Sequence, residues 1–172
     1  MFRADLTLDP QYTFKMALST LLNHTNIIST ISGGIFAGAA AYISFSEVPA
    51  LNKSGPNELW RFFPYMYSNA AKMQASLAVI SGTTGIIYSL RMADPSAGQV
   101  WLGAALCFVG IVPYTIFLMM PTNKRIIESN KTLEDEAEKT ALLTKWSKLH
   151  LVRTVASVAG FSTMVYALVK YS

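Results

Sequence analysis

The chain has 172 residues, of which 52% are hydrophobic and 14% charged, and its net charge is +4. Soluble domains carry about a quarter charged residues, so this is a membrane composition, and at this length it makes one compact unit rather than two domains. The basic residues lie between apolar runs instead of in one patch, which argues against a nucleic-acid surface and for orientation against anionic headgroups.

Asp5 and Asp9 interrupt the N-terminus, so it does not read as a cleavable signal peptide; the first span serves as its own signal. Asp9-Pro10 is a helix start, and residues 10–25 read as an amphipathic segment at the interface or an extension of the first span. Apolar runs follow at about 26–45, 72–90, 98–120 and 149–169. Each is near the ~20 residues that cross the hydrocarbon core, and in lipid such runs must be helices to satisfy their backbone groups. The expected fold is therefore an all-α integral membrane protein, a single domain over 1–172 built as a bundle of four transmembrane helices. Spans two and three are joined by a short turn around Arg91–Ser96, whereas 47–71 and 121–148 are long loops on one side, opposite both termini. In the second loop, Thr132-Leu-Glu-Asp135 caps a helix that runs through Val169, making 132–148 a polar helical extension with a solvated acidic face.

Small residues mark where helices can meet: Gly34 and Gly38 in the first span, Ser81 and Gly85 in the second, and Gly103, Ala104 and Gly110 in the third. Pro113 is expected to kink the third span. The lone Cys107 reads as a small buried hydrophobe. Ten Lys and Arg residues fall on the long-loop side, against Arg3, Lys15, Arg91 and Lys170 on the other, which puts the long loops in the cytoplasm and leaves the organelle open. Asn23, Asn52 and Asn130 open glycosylation sequons, and modification of Asn130 would reverse that orientation. A faint echo relates Pro49-Ala-Leu-Asn52-Lys53 after span one to Pro121-Thr-Asn123-Lys124 after span three.

Trp146, His150 and Arg153 are spaced i, i+4, i+7 on one face of the fourth span, and the stripe continues through Ser157, Gly160 and Met164. A polar mouth above small residues suggests a face turned into the bundle. His150 is the natural general base, and Arg153 could stabilise an oxyanion. Interfacial anchoring is the competing reading, and spacing alone favours it slightly. Asn123 could bind a substrate carbonyl or end span three, and Glu47 could pair with Arg153 or Lys124 or sit as an interfacial carboxylate. His24 falls on the opposite side from His150, so the two do not share a haem, and two histidines make no metal cluster. No GxGxxG, P-loop, HExxH or GxSxG pattern occurs.

The runs Gly33-Gly-Ile-Phe-Ala-Gly38, Ser46-Glu-Val-Pro-Ala50, Met119-Met-Pro-Thr-Asn-Lys124 and Leu143-Thr-Lys-Trp146-Ser-Lys-Leu-His150-Leu-Val-Arg153, in this order, resemble the small four-span membrane proteins that include fungal anthrone oxygenases. The resemblance implies a monooxygenase that turns a phenolic tricyclic ketone, or a lipid-like substrate, into its oxidised product with dioxygen as co-substrate and no added cofactor. His150 would then remove the acidic methylene proton, with Arg153 and Asn123 stabilising the enolate. Trp146, Trp60 or Tyr65 would stack on the flat substrate, and Glu47 would border it. No metal site is implied, although a metal or haem held between subunits of a homo-oligomer stays open. The alternative is a non-catalytic tetraspan scaffold or binding protein of an intracellular membrane. A transporter fits less well, since no charged residue lies mid-span.

Overall fold

The computed structural model describes residues 9–55 and 57–171, so Arg3 and Asp5 lie outside the described residues. Among these the chain is helical, without a strand. It comprises α1 (Pro10–Asn23), α2 (Thr25–Tyr42), a π turn (Ile43–Glu47), α3 (Val48–Ser54), α4 (Glu58–Arg91), α5 (Pro95–Tyr114), a second π turn (Thr115–Met119), α6 (Met120–Ser129) and α7 (Glu136–Lys170). The Asp9 side chain caps α1 through the amide of Gln11, and α1 buries none of its side chains.

Three helical stretches are long and apolar enough to cross a membrane: Thr25–Ser54, Pro95–Ser129 and Glu136–Lys170. The expected second span lies within α4, which is 34 residues long but is diluted by Gln74, Ser76, Ser81, Gly82, Thr83, Thr84 and Gly85. Its smallness serves packing. α4 packs on α2 and α5, and α7 packs on α5 and α2. Ser29 and Ser81 exchange hydroxyl-to-carbonyl hydrogen bonds of 2.7 and 2.9 Å between α2 and α4. Close approach there and elsewhere rests on Gly33, Gly82, Gly85 and Gly160, where a Cβ would come within 3.0 Å of a neighbouring element. The expected Gly34 contact exists, against Phe161, but nothing lies within 4 Å of a Cβ at Gly38, Gly103 or Gly110. Those three glycines face outward. Periodicity places small residues on a helix, but the partner helix decides which of them it meets.

The two long loops are helical rather than irregular. Pro49 and Pro121 each sit at the second position of a short helix that follows a π turn. Proline cannot donate to the carbonyl four residues back and clashes with it, so the preceding turn widens: the amide of Val48 bonds Ile43 O, and that of Met120 bonds Thr115 O. The echo between the two segments thus extends to the backbone. The helix passes through Pro113 to Tyr114, and the second π turn follows directly at Thr115–Met119. α7 begins at Glu136, with Asp135 rather than Thr132 as its cap, accepting from Ala137 and Glu138 amides.

These segments build a second apolar core of their own, from Ile43, Val48, Leu59, Trp60, Phe63, Met66, Met119, Ile126 and Trp146. The other core, around Phe36, Ala78, Trp101, Phe108 and Met164, fills the long helices.

Candidate functional site

A cavity of about 340 Å³ lies where the two cores meet. Its walls include Phe36, Ala78 and Ile111 from one core and Ile43, Met66 and Trp146 from the other. Lys72, Ala75 and Ile116 line it and are exposed, so its mouth opens on the flank between α4 and the second π turn. The polar groups in this apolar wall are few: Gln74, Thr115, Asn123, His150 and Arg153, with Tyr67 and Lys72.

Helix α7 delivers the stripe inward. Trp146, His150, Thr154, Ser157, Gly160, Met164 and Ala167 are all buried along one face. The Trp146 ring packs 5.0 Å from the His150 ring and meets Phe63 edge-on at 5.1 Å. His150 Nδ1 lies 3.0 Å from Ser44 Oγ, in the first π turn. Arg153 donates from Nη2 to Gln74 Oε1 at 2.7 Å, its Nη1 lies 3.9 Å from Met119 Sδ, and its guanidinium sits over the Phe36 ring at 5.4 Å. A permanently charged group in such a wall keeps its hydrogen-bonding appetite. Arg153 Nε, Gln74 Nε2, Asn123 Oδ1 and Thr115 Oγ1 are nevertheless buried without a protein partner among the described residues. Buried polar groups are usually satisfied, so four such atoms on the residues of one cavity leave a set of donors and acceptors for a polar group on a bound molecule.

His150, Arg153, Asn123 and Trp146 therefore share one cavity. Trp60, Tyr65 and Glu47 are not among its walls. Trp60 is buried in the second core, donating from Nε1 to Asn130 O at 3.0 Å, while Asn130 Nδ2 donates back to Trp60 O at 2.6 Å. The amide that a glycan would occupy in the Asn130 sequon is thus committed to the fold. Tyr65 is 71% exposed, because its place on α4 faces away from the neighbouring helices. Glu47 forms no ion pair with Arg153 or Lys124 among the described residues. Cys107 is half-buried beside Gly103 O, and no group of three or more His, Cys, Asp or Glu that could hold a metal occurs among the described residues.

Sequence reasoning passes over Gln74, Ser44 and Thr154. Gln74 carries a signal, a long polar amide inside an apolar run, where such a side chain is costly unless it has work. Ser44 and Thr154 carry none, since small hydroxyl residues commonly bond their own helix backbone.

The profile of the family described as "Anthrone oxygenase" matches residues 63–163, more than half of the chain and the part that holds Gln74, Asn123, Trp146, His150 and Arg153. Curated relatives agree. The chain is 26% identical over 144 residues to the anthrone oxygenase tpcL of Aspergillus fumigatus, covering 79% of this chain and 88% of that one. It is 27% identical over 146 residues to AgnL2 of Paecilomyces divaricatus (77% and 87% covered). Against ptaC of Pestalotiopsis fici it is 29% identical over 127 residues (66% and 88%). No solved structure gives a significant match. On these matches, the chain belongs to the anthrone oxygenase family.

Proposed function

We propose that this chain is a four-span membrane enzyme that oxidises an anthrone-type phenolic tricyclic ketone with dioxygen in the 340 Å³ cavity. The observation that carries this reading is a set of unpartnered polar atoms on an otherwise apolar wall beside a histidine. The volume suits a small flat molecule, at the lower end of the ~300–1,000 Å³ usual for ligand sites. Phe36, Tyr67 and Trp146 offer aromatic surface to its rings. α4 supplies the fourth span, and the flank mouth lets an apolar substrate arrive from the bilayer with Lys72 at its rim.

The chemistry needs one base and one anion holder. His150 takes a proton from the methylene carbon, and the electron pair spreads through the aromatic rings to the ketone oxygen as an enolate. Arg153, oriented by Gln74 and joined by Asn123, stabilises that oxygen in a water-poor site, where fixed dipoles act strongly. The enolate passes one electron to dioxygen, and the resulting radicals combine into a carbon–oxygen bond. The peroxide takes the proton back from His150. His150 then removes the second proton from the same carbon, the C–H electron pair becomes the new C=O bond, and the O–O bond breaks. The departing hydroxide leaves as water with the proton from the imidazolium. One anthrone and one dioxygen thus give one quinone and one water.

The test is dioxygen uptake and quinone absorbance in detergent micelles with a hydroxylated anthrone, against heat-inactivated protein as the air-oxidation control. His150→Ala should lower the catalysed rate by roughly 10²–10⁴-fold, the usual contribution of a general base. A variant as fast as the parent removes His150 from that role, and no uptake above the control by the folded parent sinks the oxygenase reading.

A further inference from the structure

His150 is a wall of two cavities. Besides the one already described, a space of about 220 Å³ lies between α7 and the first π turn, lined by Ser44, Phe45, Val48, Trp146, Lys148 and His150 among others. Ser44 lines this second space and not the first. Ser44 occupies Nδ1, so Nε2 is the nitrogen of His150 left free to serve the larger cavity, whose wall His150 also forms, and no hydrogen bond to Nε2 occurs among the described residues.

The protons behind Nδ1 can be counted. Ser44 Oγ lies 3.0 Å from His150 Nδ1 and 2.8 Å from Thr154 Oγ1. Thr154 Oγ1 in turn lies 3.2 Å from two carbonyl oxygens, those of Ala40 and His150. Each hydroxyl carries one proton, and a carbonyl carries none. In one arrangement Thr154 donates to a carbonyl, Ser44 donates to Thr154, and Nδ1–H donates to Ser44. Every contact in that chain is made. In the reverse arrangement Thr154 donates to Ser44 and Ser44 to a bare Nδ1. The carbonyl contacts are then lost, and Nε2 carries a proton with no protein acceptor. The first arrangement makes one more hydrogen bond among buried groups, where an unmade one is costly.

We infer that Ser44, backed by Thr154, is a positioning residue that holds His150 as the Nδ1–H tautomer and presents the bare Nε2 to the larger cavity. The inference rests on the proposal that His150 is the base, and it deepens it: a histidine accepts a proton only through an unprotonated nitrogen. It also assigns work to the first π turn, where the added residue resets which side chains face inward.

The chain has two histidines, and His24 is exposed at the junction of α1 and α2. His24→Gln therefore leaves His150 as a single reporter. In the full chain, labelled with [15N]histidine and held in micelles at mildly alkaline pH, the nitrogen spectrum should show Nδ1 protonated and Nε2 bare. Ser44→Ala should move proton to Nε2 or split the signals. It should also lower kcat with KM unchanged, by roughly the 10–100-fold seen when outer partners that orient metal-bound histidines are removed. Ser44→Thr, which keeps the hydroxyl, should restore both. A protonated Nε2 in the parent overturns the inference even if Ser44→Ala fails to fold, and so does Ser44→Ala with unchanged kcat. An active His150→Ala alongside a protonated Nδ1 would instead remove the base role and leave the tautomer standing.

Discussion

Gln74→Leu separates a catalytic Arg153 from an arginine that merely plugs the wall. Gln74 is 3% exposed, and its Oε1 is the strong acceptor for Arg153, at 2.7 Å. The guanidinium also lies 3.9 Å from a thioether and over the Phe36 ring at 5.4 Å, and neither of these replaces a carbonyl. A hydrogen bond to a charged group is worth about 1.5–3 kcal/mol. If it is the bond that aims Arg153 at the developing enolate, losing it costs about 10–150-fold in kcat/KM, since about 1.4 kcal/mol is tenfold. Gln74→Glu sharpens the test. A carboxylate in the same place makes a stronger, charge-assisted bond to Arg153, yet neutralises the charge that an enolate would use. Gln74→Glu is expected to unfold no earlier than the parent while losing activity, and Gln74→Leu to lose both stability and activity. Dioxygen uptake at several anthrone concentrations, with thermal unfolding in the same micelles, reads both quantities. If Gln74→Glu oxidises anthrone as fast as the parent, Arg153 does not stabilise an anion and the proposed chemistry is wrong.

Two further perturbations test the packing and the walls. Gly160→Ala would place a Cβ 2.9 Å from Cys107 Cβ and 3.0 Å from Ala104 O, whereas the same change at Gly103 meets nothing within 4 Å. Overpacking costs about 1–3 kcal/mol, so Gly160→Ala should unfold several degrees below Gly103→Ala, at about 2–4 °C per kcal/mol; equal unfolding temperatures would contradict the close α5–α7 approach. Trp60→Phe removes the donor to the partly buried Asn130 O and should cost about 0.5–1.5 kcal/mol, the net worth of one hydrogen bond. Activity per folded molecule should stay at the parent level, and a loss of activity without a loss of stability would return Trp60 to the substrate.

The all-helical class that the composition implies is the class observed among the described residues, with three stretches rather than four long and apolar enough to cross a membrane. α1 spans Pro10–Asn23 much as the Asp9-Pro10 start suggests, and α7 buries the whole Trp146-to-Met164 stripe. Periodicity determines which residues of one helix share a face, and that was enough to bring Trp146, His150 and Arg153 to one side. It does not determine what lies across from that face. Gln74 opposite Arg153, and Ser44 behind His150, are separated from their partners by 79 and 106 residues, and no local pattern encodes such distances. Trp60 and Tyr65 show the same limit from the other direction. Both are aromatic residues near the right depth on α4, yet a difference of register sends one into a core and the other outward. From sequence alone come an all-helical chain, a shared helix face for Trp146, His150 and Arg153, and a resemblance to the anthrone oxygenases, while the choice between an anchor and an inward face stays open. The fold turns that face inward and closes a cavity over it with two proline-widened turns and a second core, because a cavity is made by surfaces from helices far apart in the chain.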